Sequence, residues 1–210
     1  MKMAAIAAIA YFCGCFNGAV IVSKYILRDD VRNHGSGNAG LTNFYRTFGG
    51  PLTLVVILTD VLKAVIAVSV GVWLAGGITV SFLPGEMAVY GKFWAGLFCL
   101  LGHMFPCMFG FKGGKGILSG GTIAIMLDWR IALVVWGGFL ILAVLTKYVS
   151  LGSCWAGASF PFVSWFVFQD VWVAVLGACM GGLVLYMHRA NIKRLLTGTE
   201  NKFSLHKKKS

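Results

Sequence analysis

Residues 52–75 read LTLVVILTDVLKAVIAVSVGVWLA. A helix needs roughly 20 apolar residues to cross the hydrocarbon of a bilayer, and this run supplies them. Its two charges, Asp60 and Lys63, stand three residues apart on one helical face, where they can pair. Charge inside a span is costly, so the pair is either a structural bridge buried against neighbouring helices or part of a nearby site.

Outward from this run the pattern repeats. Residues 4–27 and 87–105 are equally apolar, and 131–146, 151–168 and 171–187 follow, with a shorter apolar stretch at 117–127. The chain is 58% hydrophobic and 12% charged, with a mean hydropathy of +0.81, which places it among integral membrane proteins. The sequence predicts one all-α transmembrane domain over 1–210, with about seven membrane helices, the fourth short or tilted. The first span outlasts a signal-peptide core and lacks a small-residue cleavage site, so it is expected to be retained. The net charge of +11 would suggest a nucleic-acid binder in a soluble chain. Here the bilayer accounts for it, and no nucleic-acid partner is expected. Lys and Arg gather in the loops at 28–48 and 106–116 and in the tail at 188–210. The positive-inside rule makes these cytoplasmic, with the amino terminus outside and the carboxyl terminus cytoplasmic. The run His206-Lys207-Lys208-Lys209 is expected to lie against anionic membrane lipid. The six cysteines lack CxxC spacing and read as small buried hydrophobes, and four scattered histidines give no ligand spacing, so neither metal nor cofactor is expected.

Three polar segments share the basic side. Residues 33–46, NHGSGNAGLTNFYR, formally contain G-x-G-x-x-G at Gly35, Gly37 and Gly40, but a membrane helix precedes them where a dinucleotide fold requires a strand. What remains is a loop of glycines able to turn backbone N–H groups toward an anion, followed by Arg46, which grips phosphate bidentately. Residues 102–106, GHMFP, and 110–116, GFKGGKG, resemble a Walker A loop that is one residue short, with Gly116 where Ser or Thr must bind magnesium. A nucleotide triphosphatase is excluded, yet Lys112 and Lys115 among glycines form a phosphate cradle. Residues 188–200, HRANIKRLLTGTE, place His188 and Asn191 on one helical face, where an imidazole can move protons near neutral pH. Lys193 and Arg194 also fit a bland role, snorkelling to lipid phosphates.

In this order the three segments resemble the signature motifs of the PlsY family, bacterial membrane glycerol-3-phosphate acyltransferases that use acyl phosphate. The resemblance rests on Ser36-Gly37-Asn38, Thr42-Asn43 and Arg46; on Gly102-His103 and Phe111 to Gly116; and on His188-Arg189, Asn191-Ile192 and Arg194 to Glu200. Asp60 and Lys63 resemble a pair common in that family. Ala39, Leu41 and the triplet Ile117-Leu118-Ser119 depart from the usual residues, which bears on efficiency or acyl preference more than on reaction class. The resemblance implies acyl transfer from acyl phosphate to the sn-1 hydroxyl of glycerol 3-phosphate, giving lysophosphatidic acid and phosphate at the cytoplasmic face of the bacterial inner membrane. It also implies a functional link to the enzyme that makes acyl phosphate.

The expected assignment puts glycerol 3-phosphate on Ser36, Asn38, Asn43 and Arg46. Acyl phosphate falls to His103, Lys112, Gly113, Gly114, Lys115 and Gly116, whose N–H groups also suit an oxyanion. His188 and Asn191 orient the attacking hydroxyl, with Ser36 and His103 beside them in the catalytic set. The base is either His188 or an oxygen of the substrate phosphate. Two rivals stand beside this reading: a divergent paralogue with an altered donor or lost activity, and a transporter of anionic solutes. An acyl-CoA enzyme with His and Asp separated by four residues is excluded, because Ala39, Met108 and Lys193 occupy the matching positions. The membrane-bound O-acyltransferase class is disfavoured, because it generally needs a longer chain and more helices.

Overall fold

The computed structural model describes residues 1–76 and 86–203, so the basic run at 206–209 lies outside the described residues. The described chain is helical. The first span begins with α1 (Lys2–Cys15) and continues through α2 (Gly18–Ile21) and one π turn (Val22–Ile26). Its bend falls at Asn17, whose side chain caps α2 by accepting from the Val20 N–H at 3.0 Å. A short α3 (Leu41–Thr47) precedes α4 (Leu52–Ala75) and α5 (Met87–Met104). Then follow α6 (Ile117–Leu127), α7 (Trp129–Thr146), α8 (Val149–Phe168), α9 (Val171–Met187) and α10 (Arg189–Leu196).

Among the described residues five helical stretches are long and apolar enough to cross a membrane, or six if α9 and α10, which meet at 62°, form one broken span. With the short α6 these make up to seven apolar helical segments, the fourth short as expected. The 11 residues of α6 reach about 16 Å, well short of a bilayer core of about 30 Å. Asp128 ends it in an extended conformation and accepts from the Arg130 N–H at 2.8 Å, so the same residue that stops α6 caps α7. Asp170 caps α9 in the same way, accepting from Trp172 N at 2.8 Å.

In lipid there is little hydrophobic drive between helices, so close association depends on small residues. A Cβ on Gly14 of α1 would lie 3.0 Å from Gly102 Cα of α5, and one on Gly91 of α5 would lie 2.6 Å from Ala75 Cβ of α4. One on Gly157 of α8 would lie 3.0 Å from the Gly181 carbonyl of α9. The core that these contacts enclose includes Phe93, Leu100, Met104, Ile123 and Met180. The sequence suggested that the cysteines are small buried hydrophobes, but only Cys15 and Cys99 are buried; Cys13 and Cys154 are half-buried, and Cys107 and Cys179 exposed. A second cluster of Val20, Val31, Phe44 and Val56 anchors the loop at 28–48 onto α4.

Candidate active site

The first loop is built around one side chain. Asn43 Oδ1 accepts from the Ser36 N–H at 3.1 Å, while its Nδ2 donates to the carbonyls of Val31, His34 and Asn38 at 3.0 to 3.1 Å. With its amide committed to backbone, Asn43 shapes the loop and has little left to offer a substrate. Gly35 must be glycine there: its φ is +56°, and a Cβ would overlap Asn43 Oδ1. Ser36, Asn38 and Arg46 line a cavity of about 300 Å³.

The second segment divides in two. Gly113 N–H donates to the Met104 carbonyl and Gly114 N–H to the His103 carbonyl, each at 3.1 Å, so these amides close the end of α5. That corrects their expected role as anion or oxyanion donors. Lys112 is exposed and outside the cavity wall, which corrects its placement as well. Lys115 and Gly116 do line the cavity, together with Ile117 and Leu118 at the start of α6. Gly116 turns the chain into α6 at φ +77°, and first-turn N–H groups there have no acceptor within the helix. The two loops are stitched together by Arg32, which donates to the Phe109 carbonyl at 2.7 Å, and by Ala39 N–H to the Gly113 carbonyl at 3.4 Å.

The third segment supplies a connected network. His188 occupies the break between α9 and α10, where its Nδ1 donates to the Val184 carbonyl at 2.8 Å. In the neutral ring Nε2 is then an acceptor. Asn191 accepts from Lys115 Nζ through Oδ1 and donates to Glu200 Oε1 at 2.9 Å. Glu200 also accepts from Ser150 Oγ at 3.0 Å and from Arg194 Nε at 2.7 Å. Burial, then the Arg194 charge, lowers the Lys115 pKa from its ordinary value, with Glu200 opposing. Burial works against ionised Glu200, but hydrogen bonds from Asn191, Arg194 and Ser150 outweigh it and hold the carboxyl below its usual range.

Asp60 and His103 complete the wall. Asp60 and Lys63 pair at 2.6 Å, as their spacing suggested, and both are buried at 2% and 4% exposure. The pair is also part of the site's surroundings, since Lys63 Nζ lies 2.6 Å from His103 Nδ1. All three segments therefore meet in one cavity. Sequence reasoning gave no site role to Glu200, Arg194 or Ser150, and left Asp60 open between a structural pair and a part of the site. A lone carboxylate in the basic 188–200 segment was the available signal for Glu200. A narrow apolar crevice shares Gly116, Ile117, Trp136 and Phe139 with the polar cavity and runs on to Phe160 and Met180.

The fold and the cavity define an all-helical integral membrane protein with a cationic pocket at one end of its bundle, joined to an apolar crevice between helices. The sequence profile of the family described as glycerol-3-phosphate acyltransferase matches residues 4–198, and the chain belongs to that family. It is 37% identical over 196 residues to the glycerol-3-phosphate acyltransferase of Thermoanaerobacter pseudethanolicus, covering 93% of each chain. It is 35% identical to that of Fusobacterium nucleatum, covering 93% of this chain and 95% of the relative. Among solved structures it resembles the integral membrane glycerol 3-phosphate acyltransferase PlsY in its glycerol 3-phosphate form, with a TM-score of 0.83, 32% identity, and 97% of this chain and 96% of that chain covered. The lysophosphatidic acid form of PlsY gives a TM-score of 0.80 at 30% identity, with the same coverage.

Proposed function

We propose that the chain transfers a fatty acyl group from acyl phosphate to the sn-1 hydroxyl of glycerol 3-phosphate, giving lysophosphatidic acid and inorganic phosphate. One observation carries this reading: a single cavity gathers Arg46, Lys115 and Arg194 and continues into an apolar crevice. Two phosphorylated substrates need two cationic subsites, and an acyl tail needs an apolar path. Arg46, Ser36 and Asn38 hold glycerol 3-phosphate. Lys115, the first turn of α6 and His103 hold the acyl phosphate, whose chain follows Trp136 and Phe139 into the crevice. His188 Nε2 accepts a hydrogen bond from the attacking hydroxyl, and Asn191 and Glu200 keep Lys115 in place. The hydroxyl oxygen adds to the acyl carbon, the carbon–phosphate oxygen bond breaks, and the hydroxyl proton ends on the released phosphate. No covalent enzyme intermediate is needed, because acyl phosphate already carries a good leaving group. The site faces the cytoplasm of a bacterial inner membrane, where the Lys and Arg bias of the loops puts it and where an enzyme making acyl phosphate delivers the donor.

The test is transfer by purified protein in lipid vesicles, with radiolabelled glycerol 3-phosphate and either palmitoyl phosphate or palmitoyl-CoA. Product from palmitoyl phosphate alone is expected. Product from palmitoyl-CoA alone overturns the donor, and absence of product with either overturns the activity.

A further inference from the structure

Lys63 does not line the cavity, yet its three ammonium protons all have acceptors. They reach the Phe16 carbonyl at 3.1 Å, Asp60 Oδ1 at 2.6 Å and His103 Nδ1 at 2.6 Å. An ammonium only donates, so His103 Nδ1 accepts, and the neutral ring carries its single proton on Nε2. Nε2 lies against Gly114, where a Cβ would overlap it, and it has no hydrogen-bond partner among the described residues. His103 itself is 2% exposed and forms part of the cavity wall.

We propose that Lys63, held by Asp60, is a positioning residue that fixes His103 as an Nε2–H donor to a phosphate oxygen in the cavity. This rests on the acyl-transfer reading and adds a role for the buried Lys63, which does not line the cavity, and for its partner Asp60. A donor here must stay a donor, because a bare ring nitrogen facing a phosphate oxygen is repulsive. The charged groups acting on His103 are Lys63 and Asp60, both from α4. The Cys99 thiol from α5 neighbours the same pair and is itself approached by Cys13 and Cys15 from α1, while Lys115, Arg46, Arg194, Glu200 and His188 line the same cavity as His103. Asp60 Oδ1 is 3.6 Å from His103 Nδ1. Without Lys63, that carboxylate draws the proton to Nδ1 and leaves Nε2 bare.

Lys63→Met is therefore expected to lower kcat/KM for acyl phosphate by about 10- to 100-fold at pH 8, the worth of one charge-assisted hydrogen bond. Adding Asp60→Asn, whose amide donates to Nδ1 and so returns the proton to Nε2, is expected to recover several-fold of that loss. A double variant no more active than Lys63→Met overturns the proposal. Independently of activity, 15N NMR of histidine-labelled wild-type protein in micelles, assigned with His103→Gln, should show His103 protonated at Nε2 and bare at Nδ1. The reverse pattern overturns the proposal even if Lys63→Met does not fold. Failure of wild-type acyl transfer, by contrast, defeats the function reading and leaves the NMR result standing.

Discussion

His103 and His188 line the same cavity, but their partners differ in kind. His103 meets an ammonium at Nδ1, and His188 meets a backbone carbonyl at the corresponding atom. A donor-only group forces the first ring to accept at Nδ1, and an acceptor-only group forces the second to donate there. Under the proposed function the atoms left for the substrates are consequently opposite: an N–H from the α5 wall and a lone pair from the break between α9 and α10. On that proposal one side chain type would provide both an anion donor and a hydroxyl acceptor, with the assignment made by the group each ring meets at Nδ1.

The sharpest way to break this comparison is to remove the cation between the two walls. Lys115→Ala is expected to lower kcat/KM by about 10³-fold, the scale of losing one preorganised charge partner of a developing anion. A loss under tenfold, measured in lipid vesicles, would move the acyl phosphate elsewhere. Next comes His188→Ala, expected to cost about 10²-fold, mostly in kcat. If the loss is small and the pH dependence unchanged, the hydroxyl proton goes directly to substrate phosphate and His188 only orients.

Glu200→Gln sharpens the electrostatic side, with an expected loss of about tenfold. The sign of its pH effect follows from Lys115, whose pKa is already lowered by burial and by Arg194, while Glu200 raises it. Wild-type activity should therefore fall on the alkaline side at a lower pH than an ordinary lysine would give. The variant should shift that fall lower still, and a shift upward would contradict the network. The smallest effect belongs to Asp128→Ala, which removes the α7 cap far from the cavity. It should cost about 1 kcal/mol, lowering the thermal midpoint by about 2–4 °C with unchanged kcat/KM.

Much of this architecture was legible in the sequence because bilayer length is a hard constraint: each long apolar run became a helix of nearly the expected extent. The short helix α6 was visible as a short run, but its end depends on Asp128 capping the next helix at once. The three polar segments were legible for a chemical reason, since glycine, lysine and histidine at membrane boundaries have few structural uses. Which members face the cavity was not legible. Gly113 and Gly114 carry suitable groups, but backbone pairing consumes them; Asn43 lines the cavity, yet its amide is committed to the loop backbone, and only three-dimensional neighbours decide that. Glu200 was hidden because its significance comes from Ser150 and Asn191, the first 50 residues away in sequence. The pairing of Asp60 with Lys63 was readable from spacing alone, while its contact with His103, 40 residues on, was not.

The central claim is that one cavity holds both phosphates at once, in subsites centred on Arg46 and Lys115. It is tested most directly by calorimetry of the protein in detergent, titrating glycerol 3-phosphate with and without a saturating non-hydrolysable phosphonate analogue of acyl phosphate. Simultaneous binding is predicted, with Arg46→Ala weakening only glycerol 3-phosphate and Lys115→Ala only the analogue. Mutual exclusion of the two ligands, or the same loss of both in either variant, would contradict it.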